Sequence, residues 1–269
     1  MKKSLVGSLI AAAALCGSML GCGGDHGGLI PLAMSAEHSE RNPVATTVVL
    51  VHGAWADASG WYDVTRVLQN HGYKVVAVQN SLFSLATDIQ TTKRVIDAQQ
   101  GTVVVVGHSY GGAVITAAAA GNPNVKALVY VAAFAPDANE PVGALLQRYP
   151  DKGLGTALVP DAAGFLYIDT AEYPEVFANG LPPEQARAMA TEQKPIAGSA
   201  LSDPLTTVPA WRSIPSWYIV ATEDRAINPD LERFMAKRMG ARTTELNAGH
   251  LVFIARAPEV ARIIEQAAQ

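Results

Sequence analysis

Residues 103–112 read VVVVGHSYGG, and an alanine-rich segment, residues 113–120, follows them directly. A run of β-branched apolar residues is typical of a strand buried on both faces, and an Ala-rich run is typical of a helix. Ser109 therefore lies on a turn between a buried strand and a helix, with Gly107 and Gly111 on either side. This strand–turn–helix setting of G-x-S-x-G is typical of a nucleophile elbow, in which a tight turn lifts the serine hydroxyl out of the backbone.

Composition and charge indicate a folded globular protein. The chain has 269 residues, of which 49% are hydrophobic and 16% are charged, and its formal net charge is −4. Basic residues form no cluster, so nucleic acid is not expected as a partner. Both cysteines, Cys16 and Cys22, lie near the N-terminus. The folded domain is therefore expected to contain neither a disulfide nor a thiol nucleophile.

The N-terminus has the pattern of an export signal. Two lysines, Lys2 and Lys3, precede an apolar stretch, residues 5–20, and then Gly21 and Cys22. Residues 1–22 resemble a bacterial lipoprotein signal, which predicts lipid attachment at Cys22 and a tether to a membrane; the alternative is an ordinary secretory signal cut a few residues later. Either form predicts export, to the periplasm or to a membrane-anchored state. The Gly-rich, polar residues 23–43 are predicted to be a flexible tether.

From residue 44 to residue 269, apolar runs alternate with helical patterns. Alternation of this kind predicts one α/β domain with a mostly parallel sheet of about six strands and helices on both faces. The predicted strands are 48–51, 75–78, 102–106, 125–131, 217–220 and 243–246. The rhythm breaks over about residues 136–209, where only short helical patterns are found. This insertion predicts a small helical cap over the active-site end of the sheet.

A serine nucleophile needs a general base, and His250 is the histidine that best fits this role. It follows the sixth predicted strand. The loops after parallel strands open on one face of the sheet, so His250 should be able to reach Ser109. His52 is expected to order its own loop by hydrogen bonding, and His108 is expected to serve in packing.

The base in turn needs a carboxylate that holds its tautomer. Asp224 follows the fifth predicted strand. If Asp224 is the carboxylate, the three residues occur along the chain in the order Ser, Asp, His, which is the order that accompanies a nucleophile elbow. Asp137, which follows the fourth strand, is the alternative. Glu223 is expected to point away from the site.

Two backbone N–H groups are predicted to bind a developing oxyanion. One belongs to Tyr110, directly after the serine, and the other to Ala54, in the loop after the first strand. The side chains of Trp55, Tyr110 and Leu251 are candidates for lining the pocket; those of Trp55 and Tyr110 could equally pack beneath the cap.

The stretches VLVHGAW, residues 49–55, and GHSYGG, residues 107–112, resemble the α/β-hydrolase superfamily. The likeness is to its branch of small capped bacterial esterases, which is similar to plant salicylate-ester esterases and hydroxynitrile lyases. It extends from about residue 46 to the C-terminus and is weakest in the cap. The resemblance implies a Ser–His–Asp hydrolase of carboxylic esters that needs no cofactor or metal.

Two positions separate the chain from other enzymes of this superfamily. The related lyases carry a lysine directly after the catalytic histidine, where this chain has Leu251. Dehalogenases and epoxide hydrolases of this fold have an aspartate at the elbow, where this chain has Ser109. The expected partner is a small to medium, apolar ester. Lactonase, perhydrolase or carbon–carbon hydrolase chemistry stays open, as does a non-catalytic ligand-binding module. The sequence predicts no particular oligomeric state.

Overall fold

The computed structural model describes residues 46–269. The predicted signal peptide, Cys22 and the tether lie outside the described residues, so export and lipid attachment stay predictions. None of the helices within residues 46–269 is long and apolar enough to cross a membrane.

The described residues form nine β-strands. In chain order these are β1 Thr47–Val51, β2 Lys74–Val78, β3 Val103–Ser109, β4 Val125–Ala133, β5 Leu158–Pro160, β6 Phe165–Ile168, β7 Ile196–Ala197, β8 Ser216–Ala221 and β9 Arg242–Leu246.

Eleven α-helices lie between and after these strands within the described residues, together with 3-10 turns at Ala58–Trp61 and Ala210–Arg212. In chain order the α-helices are α1 Tyr62–Asn70, α2 Leu85–Asp97, α3 Tyr110–Ala118, α4 Val142–Leu146, α5 Leu154–Ala157, α6 Tyr173–Val176, α7 Pro183–Glu192, α8 Gly198–Ser202, α9 Pro229–Met239, α10 Val252–Ala255 and α11 Ala257–Ala267.

Six strands form one sheet in the order β2-β1-β3-β4-β8-β9, and all of its neighbours pair in parallel. This confirms the predicted α/β-hydrolase architecture. Strands β1, β3 and β8 are buried along their whole length, whereas the edge strands β2 and β9 are partly exposed. Burial on both faces explains the uninterrupted valine runs of the central strands.

Parallel pairing brings the loops of the site to one edge of the sheet. Val51, at the end of β1, pairs with Gly107 of β3, and Ala221, at the end of β8, pairs with Leu246 of β9. The chain passes from β1 to β2 on one side of it and then returns past β1 to β3 on the other side. Such a switch point opens a crevice at the carboxyl ends of the strands.

The segment between β4 and β8 contains strands that the sequence pattern did not indicate. It holds α4 to α8, and in addition β5, β6 and β7 form a small antiparallel sheet. The sequence pattern had suggested a purely helical cap, whereas the structure shows a cap that also contains strands. These strands have only two to four residues, and β5 ends in Pro160, so they have neither the length nor the alternation that identifies a strand.

Candidate active site

Ser109 lies at the end of β3 in a strained turn. Its φ is 51° and its ψ is −124°, a conformation that non-glycine residues rarely adopt. The turn depends on close backbone approach: a Cβ at Gly107 would lie 2.7 Å from the carbonyl oxygen of Gly111. A Cβ at Gly111 would lie 2.6 Å from the carbonyl oxygens of Val51 and His52. Only glycine fits at these two positions, which is the physical basis of the motif.

His250 and Asp224 meet at the same edge of the sheet. The Nδ1–H of His250 donates to Oδ2 of Asp224 over 2.6 Å, and both side chains are excluded from solvent. A carboxylate at Nδ1 keeps the proton on that nitrogen, which leaves the lone pair of Nε2 available. Nε2 is buried and has no hydrogen-bond partner among the described residues. The ring is thus oriented to accept a proton at Nε2.

The carboxylate of Asp224 is held by the backbone that follows it. Its Oδ1 accepts hydrogen bonds from the N–H groups of Ala226, at 2.7 Å, and Ile227, at 2.8 Å. Arg225 pairs with Glu175 rather than with Asp224, and the N-cap of α9 is Asn228. Asp224 therefore has neither of the two ordinary structural roles of such a residue, an ion pair with its neighbour or a helix cap.

Asp137, the alternative carboxylate, lies in a different environment. Both of its oxygens accept hydrogen bonds from Arg212, at 2.7 Å. The hydrogen bond from Arg212 is the largest influence that lowers the pKa of Asp137. Glu223 is exposed, as expected. Among the three acidic candidates, the structure brings Asp224 to His250.

The loop after β1 packs directly against the serine. A Cβ at Gly53 would lie 2.7 Å from Cβ of Ser109, so this position has no room for a side chain. The N–H of Ala54, the next residue, has no acceptor among the described residues. Tyr110 begins α3, and the first N–H groups of a helix have no partner within it. Both predicted oxyanion donors, one in the loop after β1 and one at the start of α3, are thus without a hydrogen-bond partner among the described residues.

Trp55 connects this loop to the cap. Its φ is 54°, another left-handed conformation, and its indole N–H donates to the carbonyl of Leu166 in β6 over 2.8 Å. Its ring contacts the edge of Phe177 in the cap, with ring centroids 5.8 Å apart. The cap strand therefore holds the residue that follows Ala54.

The other two pocket candidates differ in their surroundings. Leu251 and Trp55 line a cavity of about 60 Å³ together with Tyr173 and Met189 of the cap. The side chain of Tyr110 is buried, and its hydroxyl donates to Oδ2 of Asp88 in α2 over 3.0 Å. This contact favours a packing role for the side chain of Tyr110. Its part in lining a substrate pocket stays a prediction.

His52 orders the loops around the site. Its Nδ1–H donates to the carbonyl of Gly53 over 2.8 Å, and its Nε2 accepts from the N–H of Asn80 over 3.0 Å. Burial lowers its pKa. His52 is therefore a neutral, structural histidine, as the sequence had led us to expect.

His108 packs in the core and also makes a hydrogen bond to the backbone of His250. Its Nε2–H donates to the backbone carbonyl of His250 over 3.1 Å, and the two imidazole rings lie 4.7 Å apart. Burial lowers its pKa well below the usual value, and repulsion from His250 adds to this effect. Since His108 is neutral, it can support His250 without placing a positive charge beside it.

The cap closes over these groups. The ring of Phe177 lies 4.9 Å from that of His250, and Ser109 is only 4% exposed. Sequence reasoning did not single out Phe177, because an aromatic residue in a short helical segment has no feature that identifies its partner. Within residues 46–269, no group of three or more His, Cys, Asp or Glu residues is arranged to hold a metal ion.

Comparison with known proteins agrees with the fold described above. A family profile described as "Alpha/beta hydrolase family" matches residues 48–263. A carbendazim hydrolyzing esterase of Nocardioides sp. is 34% identical over 113 residues, which are 37% of this chain and 47% of that protein. The chain thus aligns with less than half the length of this relative.

Two further comparisons cover more of the chain. Methylesterase 8 of Arabidopsis thaliana is 26% identical over 70% of this chain and 75% of its own length. An extracellular alpha/beta-hydrolase from a Paenibacillus species, described as sharing structural and functional homology with tobacco salicylic acid binding protein 2, superposes with a TM-score of 0.72. That match covers 83% of this chain and 99% of the other at 22% identity, which shows the shared fold.

Proposed function

The chain belongs to the alpha/beta hydrolase family, and from this premise we propose that it is an exported serine esterase that cleaves carboxylic esters through an acyl-enzyme. The observation that carries the proposal is the buried pair of His250 and Asp224. Its free Nε2 lies at the sheet edge where the elbow presents Ser109. The methylesterase and carbendazim hydrolyzing esterase among its relatives support an ester as substrate.

In the first half-reaction, Nε2 of His250 takes the proton of the Ser109 hydroxyl as the oxygen attacks the ester carbonyl. The carbonyl oxygen becomes an oxyanion and accepts hydrogen bonds from the N–H groups of Ala54 and Tyr110. His250 then gives its proton to the departing alkoxide, which leaves as an alcohol. Asp224 stabilises the imidazolium throughout and keeps the proton on Nδ1.

In the second half-reaction, water takes the place of the alcohol. Neutral His250 removes a proton from the water as its oxygen attacks the acyl carbonyl. Collapse of the second oxyanion breaks the bond to Ser109, and His250 returns its proton to the serine oxygen. The products are a carboxylic acid and the free enzyme, so atoms and charge balance over the cycle.

The surroundings of the site support an apolar substrate of small to medium size. Trp55, Met189 and Leu251 contribute to the adjacent cavity, and Phe177 lies against His250. Pockets with mostly apolar walls and a few convergent polar groups are typical of small-molecule sites. Because the catalytic side chains are buried, we infer that the cap moves when the ester enters.

The test is turnover of p-nitrophenyl acetate by the wild-type chain and by Ser109→Ala. We expect the variant to keep the fold, since alanine removes only a hydroxyl, and to lose turnover. A fluorophosphonate probe should label the wild type and leave the variant unlabelled. Undiminished turnover in Ser109→Ala would overturn the assignment, and a wild-type chain that neither turns over ester nor accepts the probe would point to a ligand-binding module.

A further inference from the structure

A glutamate that takes no part in the steps above is buried behind the catalytic pair. Glu232 lies in α9, and its side chain is completely excluded from solvent. Its helix neighbours at spacings of three and four, Met235 and Ala236, are buried and apolar. A carboxyl group on the apolar face of a helix is costly unless it is hydrogen-bonded and, when ionised, paired with a cation.

The two oxygens of Glu232 have different surroundings. Oε2 accepts a hydrogen bond from the N–H of Ala221, the last residue of β8, over 3.1 Å. Oε1 is buried and has no donor among the described residues. Asp224 follows Ala221 by three residues, so the bond from Ala221 holds Glu232 behind the turn that carries Asp224, where a hydrogen bond between the two side chains can form. Two carboxylates cannot make that bond unless one of them carries a proton.

The charges around Glu232 favour the protonated form. Burial raises its pKa well above the usual value, and the negative charge of Asp224 and the hydrogen bond between the two side chains raise it further. The hydrogen bond from the N–H of Ala221 and the positive charge of Arg233 lower this pKa, and they are the smaller effects. The guanidinium of Arg233 is itself engaged by two exposed carboxylates, Glu245 and Asp230.

Tyr218 of β8 is another ionisable group near Glu232. Burial raises its pKa well above the usual value, and an ionised Glu232 would raise it further. Its hydroxyl donates to the carbonyl of Ala133. Tyr218 is therefore neutral, and it supplies no positive charge that could neutralise an ionised Glu232.

We propose that Glu232 is a neutral carboxylic acid that donates a hydrogen bond to Asp224 and acts as a positioning residue for the catalytic pair. Asp224 then receives four donors: the N–H groups of Ala226 and Ile227, Nδ1–H of His250 and the hydroxyl of Glu232. The two carboxyl groups share a single negative charge. The inference concerns catalysis only in so far as the proposed esterase function holds.

The first test measures the proton on Glu232 through stability and does not depend on activity. Above about pH 4.3, an unfolded glutamate is ionised. Unfolding of the wild type then releases one proton from this side chain, which by itself would raise the unfolding constant about tenfold per pH unit. Glu232→Gln has no such proton, although its amide can still donate to Asp224 and accept from Ala221.

Urea unfolding of both chains between about pH 5 and about pH 7 gives the ratio of their unfolding constants. We expect this ratio, wild type over Glu232→Gln, to grow about tenfold per pH unit. Glu184→Gln, which changes an exposed glutamate of α7, is the control and should keep the wild-type pH dependence. A ratio for Glu232→Gln that stays constant over this range would overturn the proposal.

The second test is the pH profile of kcat/KM for p-nitrophenyl acetate. Glu232→Gln should keep the wild-type acid limb, because it replaces one neutral donor with another. Glu232→Met removes the donor at similar volume. Asp224 then binds the protonated form of His250 more strongly, so the acid limb should move to higher pH. An identical acid limb in the wild type and Glu232→Met would contradict the positioning role.

The two tests also separate this inference from the proposed function. If the wild type hydrolyses no ester, the esterase assignment fails, and the unfolding measurement still decides whether Glu232 holds the proton. If the wild type is an active esterase and the unfolding ratio is independent of pH, the esterase assignment stands and the role of Glu232 is refuted.

Discussion

At the scale of single residues, the environment of a carboxylate decides its role. Asp224 and Asp137 each follow a strand of the sheet, so the sequence offered both as partners of His250. Asp224 is buried, accepts two backbone N–H groups and contacts His250, whereas Asp137 is half-exposed and neutralised by Arg212. A carboxylate whose two oxygens are both bound by Arg212, and which makes no hydrogen bond to His250, cannot orient that imidazole.

This contrast predicts that Asp224→Asn lowers kcat by a factor on the order of 10⁴ with little change in fold, because an amide does not hold the proton on Nδ1. The measurement is turnover of p-nitrophenyl acetate at saturating substrate, with circular dichroism as the check on folding. Asp137→Asn is the matched control and should turn over the ester at the wild-type rate. Equal losses in the two variants would mean that Asp224 has no special part in catalysis.

At the scale of structural elements, the cap and the loop after β1 form one unit. The indole N–H of Trp55 donates to Leu166 in β6, and the backbone N–H of Ala197 in β7 donates to the carbonyl of Leu82 in the core domain. Trp55 has a left-handed backbone, which costs on the order of 1 kcal/mol and persists only when the surroundings hold it. Since Trp55 directly follows Ala54, the cap also holds the predicted oxyanion donor.

We expect Trp55→Phe to lower kcat/KM by about tenfold, which corresponds to about 1.4 kcal/mol of lost transition-state stabilisation. Phenylalanine keeps the aromatic ring and loses the hydrogen bond to Leu166. Trp211→Phe is the control, because its indole N–H donates to the carbonyl of Pro136, a similar bond outside the site. Ester kinetics and urea unfolding are measured on both. The coupling is refuted if Trp211→Phe loses as much kcat/KM as Trp55→Phe.

At the scale of the whole molecule, the sheet and the cap bury ionisable groups in their neutral forms. Burial lowers the pKa of His52, and lowers that of His108 well below the usual value. An unfolded histidine takes up a proton below about pH 6.5, whereas these two resist protonation in the folded protein. The unfolded state therefore binds more protons as the pH falls, and the folded state loses stability.

The expected outcome is a fall in the free energy of unfolding of about 1.4 kcal/mol per pH unit for each such histidine, starting near pH 6.5 and continuing down to its folded pKa. Urea unfolding of Glu232→Gln is the appropriate measurement, because the proton proposed for Glu232 acts in the opposite direction. Glu232→Gln that also carries His71→Gln is the control. It should show the same fall, since His71 is exposed. A free energy that is flat or rises on acidification would contradict the prediction.

Much of the fold could be predicted from local patterns. The six strands of the main sheet were expected within three residues of their observed ends. For the central strands the reason is that apolar runs rich in valine identify strands buried on both faces. Ser109 was identified by the glycines that its turn needs. Asp224 and His250 were proposed from their places after strands of a parallel sheet, whose loops necessarily meet at one edge.

Contacts across the cap and behind the site depended on tertiary structure. The strands β5 to β7 are too short to leave a pattern, and they form because they pair with one another and dock on the core. The hydrogen bond from His108 to His250 joins residues that are 142 positions apart, and the pairing of Glu232 with Asp224 depends on how α9 packs beneath β8. Local sequence determines which elements form and which residues stand at their ends. Which side chains then share a buried space is decided by packing between distant segments, and that packing also sets their charge.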